Sequence, residues 1–276
     1  MRRAGIWTNY LVNTTPEEMV PLFAKHGWYD LEFSDEHGHM LLARDGDPAA
    51  VGDRFRSFAA DHHVAFPQGH LWLAADICAA DNGATIDALK RWLDLYHALG
   101  IRSAVLHPGG NELIKANASG TAIFDARTAA LRALTQHVSG RDISIALENI
   151  HTPHAKTADD LIPLVDAFNG KNIGICLDTG HLNIVKGDVG VFVRAAGKRL
   201  IALHIADNEG ATDQHLMPYG RGTVDWTGFM KAIREVGYDR LMNLEIPGES
   251  RCPQPVQLMK LDYIRRMMAY LLEEGI

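Results

Sequence analysis

Five largely apolar runs in this chain end abruptly in a side chain that can carry a proton or bind a cation. Ala104-Val105-Leu106 leads to His107, Ile145-Ala146-Leu147 to Glu148, Ile173-Gly174-Ile175-Cys176-Leu177 to Asp178, Leu200-Ile201-Ala202-Leu203 to His204, and Met242-Asn243-Leu244 to Glu245. Runs of that length and continuity read as strands buried on both faces, so a carboxylate or imidazole at their ends belongs to a site built on a scaffold. Glu148, Asp178, His204 and Glu245 together offer three carboxylates and one imidazole. That donor set suits a hard or borderline divalent ion, Mn²⁺, Mg²⁺, Co²⁺ or Zn²⁺, with positions left open for substrate oxygens. Singly, each carboxylate reads equally well as the partner of a Lys or Arg. At matching positions the coincidence is poor, because converging carboxylates repel one another without a cation.

A second layer of candidates surrounds these four. His70 and His107 stand at two earlier strand ends, and His181 lies just beyond Asp178 with Gly180 between them. His70, in Gln68-Gly69-His70-Leu71-Trp72, reads as a hydrogen-bonded pocket histidine in preference to a ligand. His181 reads either as a hydrogen bond that steadies its loop or as a contact to substrate or a second ion. Asp213-Gln214-His215 either binds a metal or caps a turn. Arg221 either binds a substrate oxygen or makes a surface ion pair. Seven further histidines, His26, His37, His39, His62, His63, His97 and His137, read as surface or helix-face residues, and Trp7, Trp72 and Trp226 as walls for a sugar ring or as ordinary core, with core favoured for Trp226.

The elements that must position these groups follow from period and punctuation. Strands are expected near 4–10, 29–34, 63–71, 101–107, 143–149, 173–178, 200–206 and 241–246, each followed by a helix or loop. Thr15-Pro16-Glu17-Glu18 carries a capping box with Pro at the first helical position, and Gly27 follows the last turn. Asp47-Pro48 and Thr157-Ala158-Asp159-Asp160 open further helices, while Gly100, Gly140 and Gly237 stand where a C′ glycine belongs. Eight β-then-α units require parallel strands and right-handed crossovers, and they close naturally into an α/β fold, a single (β/α)8 TIM barrel over residues 1–276, with chemistry at the C-terminal strand ends. An open doubly wound sheet is the alternative, but no G-x-G-x-x-G or Walker loop follows any strand. The long irregular stretch from Asp207 to Trp226 reads as functional, as such loops usually are.

Composition narrows the function classes. The 276 residues are 47% hydrophobic and 22% charged, with no apolar run long enough for a membrane span. The start, Met1-Arg2-Arg3-Ala4-Gly5-Ile6-Trp7, has no apolar stretch or cleavage site behind its arginines and enters a strand directly, so the chain is read as cytoplasmic. Three cysteines, Cys78, Cys176 and Cys252, lack C-x-x-C spacing and suggest neither a disulfide framework nor a thiolate zinc site. A net charge of −7 argues against nucleic acid as a partner.

Four segments carry a resemblance: Leu147-Glu148-Asn149, Leu177-Asp178-Thr179-Gly180-His181, Leu203-His204-Ile205-Ala206-Asp207-Asn208, and Gly220-Arg221-Gly222-Thr223-Val224-Asp225-Trp226. In this order they resemble the xylose isomerase-like TIM-barrel superfamily, the sugar phosphate isomerase/epimerase group. Resemblance to its ketose 3-epimerases implies one divalent ion, commonly manganese, held by Glu148, Asp178, His204 and Glu245. It also implies Glu148 and Glu245 as the acid/base pair and His181 on a substrate oxygen. The chain departs from those epimerases after His204, where Asp207-Asn208-Glu209-Gly210 stands in place of their usual arginine. Resemblance to endonuclease IV implies instead up to three Zn²⁺: one at His70, His107 and Glu148, a second at Glu148, Asp178, His204 and Glu245, and a third at His181, Asp213 and His215.

The expected function is a metal-dependent isomerase or epimerase of a sugar or polyol, moving a proton next to a carbonyl through an enediolate. His181, His70, His107 and Arg221 are its expected substrate contacts. A lyase or dehydratase acting on a keto-sugar or keto-cyclitol keeps the same metal and base. The zinc phosphodiesterase fits less well, since a rim rich in Asp and Glu is poorly suited to DNA. A non-catalytic sugar-binding barrel would not need both Glu148 and Glu245. Analogy with the superfamily leaves room for a homo-oligomer.

Overall fold

Continuous apolar strands need cover on both faces, and a closed parallel barrel wrapped by helices supplies it. The structure, a computed structural model, describes residues 3–249 and 251–274. Eight parallel strands are found among them: β1 Arg3–Trp7, β2 Asp30–Phe33, β3 Ala65–His70, β4 Ser103–Leu106, β5 Ser144–Glu148, β6 Ile173–Asp178, β7 Leu200–His204 and β8 Leu241–Leu244. Their order is β7-β6-β5-β4-β3-β2-β1-β8. The ring closes between β7 and β8 through a bridge from Ile205 to Leu244, in which the Ile205 amide donates to Asn243 O at 2.8 Å and the Glu245 amide to Ile205 O at 3.1 Å. The fold is a single (β/α)8 TIM barrel, as the alternation of elements predicts.

The helices begin where the sequence signals them. Thr15 caps helix Pro16–Lys25 by accepting from the Glu18 amide, while Glu18 Oε2 accepts from the Thr15 amide at 2.8 Å. Asp47 caps Pro48–Asp61 through the Ala50 amide. Gly100 ends Gly83–Leu99 at a φ of 85°, a backbone conformation that favours glycine. Among the described residues no helix is long and apolar enough to cross a membrane.

Strand register explains which side chains enter the barrel. Side chains alternate along a strand, so Val105 faces inward with His107, Ala146 with Glu148, Cys176 with Asp178, Ala202 with His204 and Asn243 with Glu245. Val105, Ala146, Cys176 and Ala202, with Ile201, form a small apolar cluster of their own inside the barrel. The outward positions Leu31, Phe33, Leu147, Ile175, Leu177, Leu203 and Leu244 join the large core beneath the helices. All six residues of β6 are buried, as a strand covered on both faces requires.

Three boundaries differ informatively from expectation. The strand expected over 4–10 stops at Trp7, because Thr8–Leu11 coils into a 3-10 turn. The runs near 63–71 and 101–107 shorten to Ala65–His70 and Ser103–Leu106, and His63, at a φ of 61°, still belongs to the turn before β3. His37, expected on a surface or a helix face, lies on helix Asp35–Leu42 but is fully buried there, with Nδ1 3.0 Å from Thr8 Oγ1 and 3.1 Å from Ser34 Oγ.

Candidate active site

The inward alternation delivers Glu148, Asp178, His204 and Glu245 to one point at the C-terminal end of the barrel. Their ligand atoms lie within 4.8 Å of one another, and all four residues are buried. His204 Nδ1 stands 3.0 Å from Glu148 Oε1 and 3.3 Å from Glu245 Oε2. Asp178 Oδ2 is buried with no hydrogen-bond partner, while Glu245 Oε2, also buried, has ion-pair contacts to His204 Nδ1 at 3.3 Å and His215 Nδ1 at 3.6 Å in place of a hydrogen bond. Leaving such atoms unmatched is costly, and a divalent cation is a chemically apt partner for these carboxylate oxygens.

Local folding holds these side chains in place. Asp178 caps the short helix Thr179–Ile184, its Oδ1 accepting from the His181 amide at 2.5 Å. Asn149 ties the ends of β5 and β6 together: its Nδ2 donates to Asp178 O at 3.0 Å and its Oδ1 accepts from the Asp178 amide at 2.7 Å. Thr179 Oγ1 accepts from the Ala206 amide at 3.0 Å, linking β6 to the segment after β7. The late Gly220-Arg221-Gly222 segment closes over Asp207, whose carboxylate accepts from the Asn208 and Val224 amides and from Trp226 Nε1 at 2.9 Å. A Cβ at Gly222 would lie 2.0 Å from Asp207 Cγ, so only glycine fits there. Trp226 is therefore core, as favoured from the sequence.

The second layer divides. His70 Nε2 lies 3.3 Å and His107 Nε2 3.2 Å from Glu148 Oε2, and His70, His107 and Glu148 form a further group with metal-ligand spacing. His70, His204 and Glu245 form another. His181 Nδ1 donates to Asn149 O at 3.0 Å and sits 3.4 Å from Glu148 Oε1. His181, Asp213 and His215 meet differently: Asp213 Oδ2 stands between the rings, 3.1 Å from Nε2 of each, with ring centroids 6.5 Å apart. Arg221 lies apart from these groups, on the surface and 3.7 Å from Glu209.

Electrostatics follows this geometry. Burial opposes the charge on Glu148, yet the His204, His107 and His181 imidazoles outweigh it and hold its carboxyl well below the usual range. Burial likewise opposes charge on Glu245, but His204 and His215 hold it down at about 2. Burial pushes Asp178 up to about 7, with His181 pulling the other way and the Glu245 and Glu148 charges adding to the rise. His204 and His181 resist burial and stay well above the usual histidine value because carboxylates surround them, Glu245, Glu32 and Glu148 for the first and Asp178, Asp213 and Glu148 for the second. His215 rises to about 10 against burial, chiefly through Asp213.

One buried participant escaped the sequence reading. Glu32 of β2 is fully buried, and its Oε1 accepts from His204 Nε2 at 2.8 Å while Oε2 accepts from Asn243 Nδ2. The signal that would have found it is strand alternation in Leu31-Glu32-Phe33, which places a lone carboxylate between two core positions.

A (β/α)8 barrel with a carboxylate and imidazole cluster at the ends of its strands defines the class. The family model described as xylose isomerase-like TIM barrel matches residues 21–271, and the chain belongs to that family. The uncharacterized protein y4fM of Sinorhizobium fredii is 32% identical over 165 residues, 59% of this chain and 52% of its own length. The uncharacterized protein MJ1311 of Methanocaldococcus jannaschii is 27% identical over 58% of this chain and 56% of its own, so the chain spans about half the length of these relatives. An inosose isomerase of Bacillus velezensis is 23% identical over 79% of this chain and 82% of its own. A crystal structure of D-psicose 3-epimerase with D-fructose superposes at a TM-score of 0.78, covering 98% of this chain and 99% of the other at 14% identity, a likeness of fold alone.

Proposed function

We propose that the protein is a divalent-metal-dependent isomerase or epimerase of a small sugar or polyol. The observation that carries this reading is the convergence of Glu148, Asp178, His204 and Glu245 with Asp178 Oδ2 buried and without a hydrogen-bond partner. Relatives named inosose isomerase, D-psicose 3-epimerase and ketose 3-epimerase support the substrate class. These four residues would hold one divalent ion, with Mn²⁺ the first candidate. Once bound, it supplies Lewis acidity toward a carbonyl and its neighbouring hydroxyl, making the adjacent C–H more acidic.

The chain's own residues do the rest. Glu148 and Glu245, on β5 and just beyond β8, form the acid/base pair: one, ionised, removes the proton beside the carbonyl, and the other, entering the step protonated, gives its own proton back to the substrate, so the pair ends with its protonation states exchanged. Where the proton returns decides between epimerisation and isomerisation. His181, His70 and His107 stand around the cluster as the contacts for substrate oxygens; His181 is held by Asn149 O and Asp213 and His70 by Leu71 O and Glu148, so each of these two exchanges a protein partner for a substrate oxygen. Burial of the cluster keeps bulk water from the carbanionic species.

The test is solvent deuterium incorporation into a panel of ketoses, keto-inositols and their phosphates. Exchange without loss of water is expected. Exchange seen only with elimination moves the assignment to a lyase, and no exchange from any of the panel sinks it. The His70, His107 and Glu148 group favours one further reading, a multinuclear centre. Metal analysis separates the two: about one ion per chain fits the isomerase, and two or more fit the multinuclear site.

A further inference from the structure

Glu32 has no part in proton transfer as described above, yet it is a fully buried carboxylate whose ion-pair partner among the described residues is His204 alone. We propose that Glu32 is a positioning residue, which locks the His204 ring so that Nδ1 faces the Glu148, Asp178 and Glu245 carboxylates. The proposal rests on the metal site assigned above.

An imidazole has two nitrogens and can present either one by turning its ring over. At His204 the choice is made by its neighbours: Nε2 donates to Glu32 Oε1 at 2.8 Å, leaving Nδ1 3.0 Å from Glu148 Oε1 and 3.3 Å from Glu245 Oε2. Glu32 is itself fixed, because its other oxygen accepts from Asn243 Nδ2. Asn243 stands two residues before Glu245 on the same inward face of β8. One buried carboxylate thus ties β2 to β7 and β8, the two strands that present His204 and Glu245. A buried ion pair is often replaced by apolar residues at little or no loss of stability, so packing alone does not call for a glutamate here. A carboxylate on the far nitrogen of a ligating histidine fixes its tautomer and ring orientation, and losing such a partner typically weakens metal affinity about 10–100-fold.

The experiment compares wild type with E32Q and E32M in full-length protein. Affinity for Zn²⁺ is measured by competition with a chromophoric chelator, and the His204 ring N–H is observed by ¹⁵N-edited NMR of the metal-free, labelled protein. The expected affinity loss for E32M is about 10–100-fold. In E32Q the loss is smaller, because the amide oxygen still accepts the Nε2 proton. The ring N–H resonance moves in E32Q and moves further, or exchanges away, in E32M. A merely structural Glu32 would lower the unfolding midpoint of both variants with Zn²⁺ affinity unchanged, and that result overturns the proposal. So does a ring N–H that ignores both substitutions. If E32M does not fold, E32Q decides by the same two readouts. If the wild type binds no divalent ion, the functional assignment falls, and the ring N–H still decides whether Glu32 holds His204.

Discussion

At the scale of the residue, the site is defined by competition between burial and neighbouring charge. His204 and His181 are held in their charged form by surrounding carboxylates, and Asp178 is pushed up to about 7. A cation that takes His204 Nδ1 and the Asp178 carboxylate must therefore displace protons. The sign follows: fewer protons to displace means tighter binding, so affinity rises with pH between roughly 6 and 8. Calorimetric titration with Mn²⁺ in buffers of different ionisation enthalpy should show proton release, and a buffer-independent enthalpy would show that these groups are already deprotonated. Substitution of the proposed acid/base pair belongs to the same scale. Glu245→Gln and Glu148→Gln should each lower turnover about 10²–10⁴-fold, the usual contribution of a positioned proton-transfer group. Full turnover in either would remove that residue from the pair. The convergence of Glu148, Asp178, His204 and Glu245 was legible because each ends an apolar run. Glu32 was only half legible: alternation in Leu31-Glu32-Phe33 sets a lone carboxylate between core positions, but nothing in the sequence ties it to a histidine far along the chain.

At the scale of the element, legibility depended on whether the signal was local. The capping box at Thr15 and Glu18 and the cap at Asp47 are fixed by residues three apart, and both form as expected. Strand ends were less legible because they are set by pairing with a neighbouring strand, as at Trp7, after which Thr8–Leu11 turns into a 3-10 segment. His37 marks the limit: its burial depends on hydroxyls of Thr8 and Ser34, brought together only once β1 and β2 pair. That burial has a measurable consequence. Burial holds His37 below its usual value, against the Thr14 carbonyl and the Glu36 charge. The unfolded chain thus takes up the proton first. The stability contributed by neutral His37 is complete above the unfolded value, about 6.5, and is lost as pH falls through the lower folded value. Urea unfolding from about pH 7 to 5 should show a shallower decline in His37→Gln than in wild type. Parallel curves would mean that His37 does not titrate differently on folding.

At the scale of the whole molecule, the barrel is least continuous where its most important ends meet. Neighbouring strands elsewhere pair along ladders, whereas β7 and β8 meet through the bridge from Ile205 to Leu244. His204 and Glu245 flank that seam, so an ion held by both, together with Glu148 and Asp178, links β5 through β8 across the closure. A ligand that binds only the folded state stabilises it by mass action, about 2.7 kcal/mol at a concentration a hundred times the dissociation constant. Saturating Mn²⁺ should therefore raise the unfolding midpoint, and chelation should reverse the gain. The distribution of that gain tests the architecture more sharply. The Ile205 and Glu245 amides, which donate across the seam, should gain hydrogen-exchange protection on Mn²⁺ binding beyond the gain of strands away from the site, such as β1. Local opening at the seam costs less than global unfolding, and tying its two sides suppresses that opening first. A uniform gain in protection around the barrel would mean that the ion stabilises the fold without closing the seam, and no gain at all would remove His204 and Glu245 from a shared site.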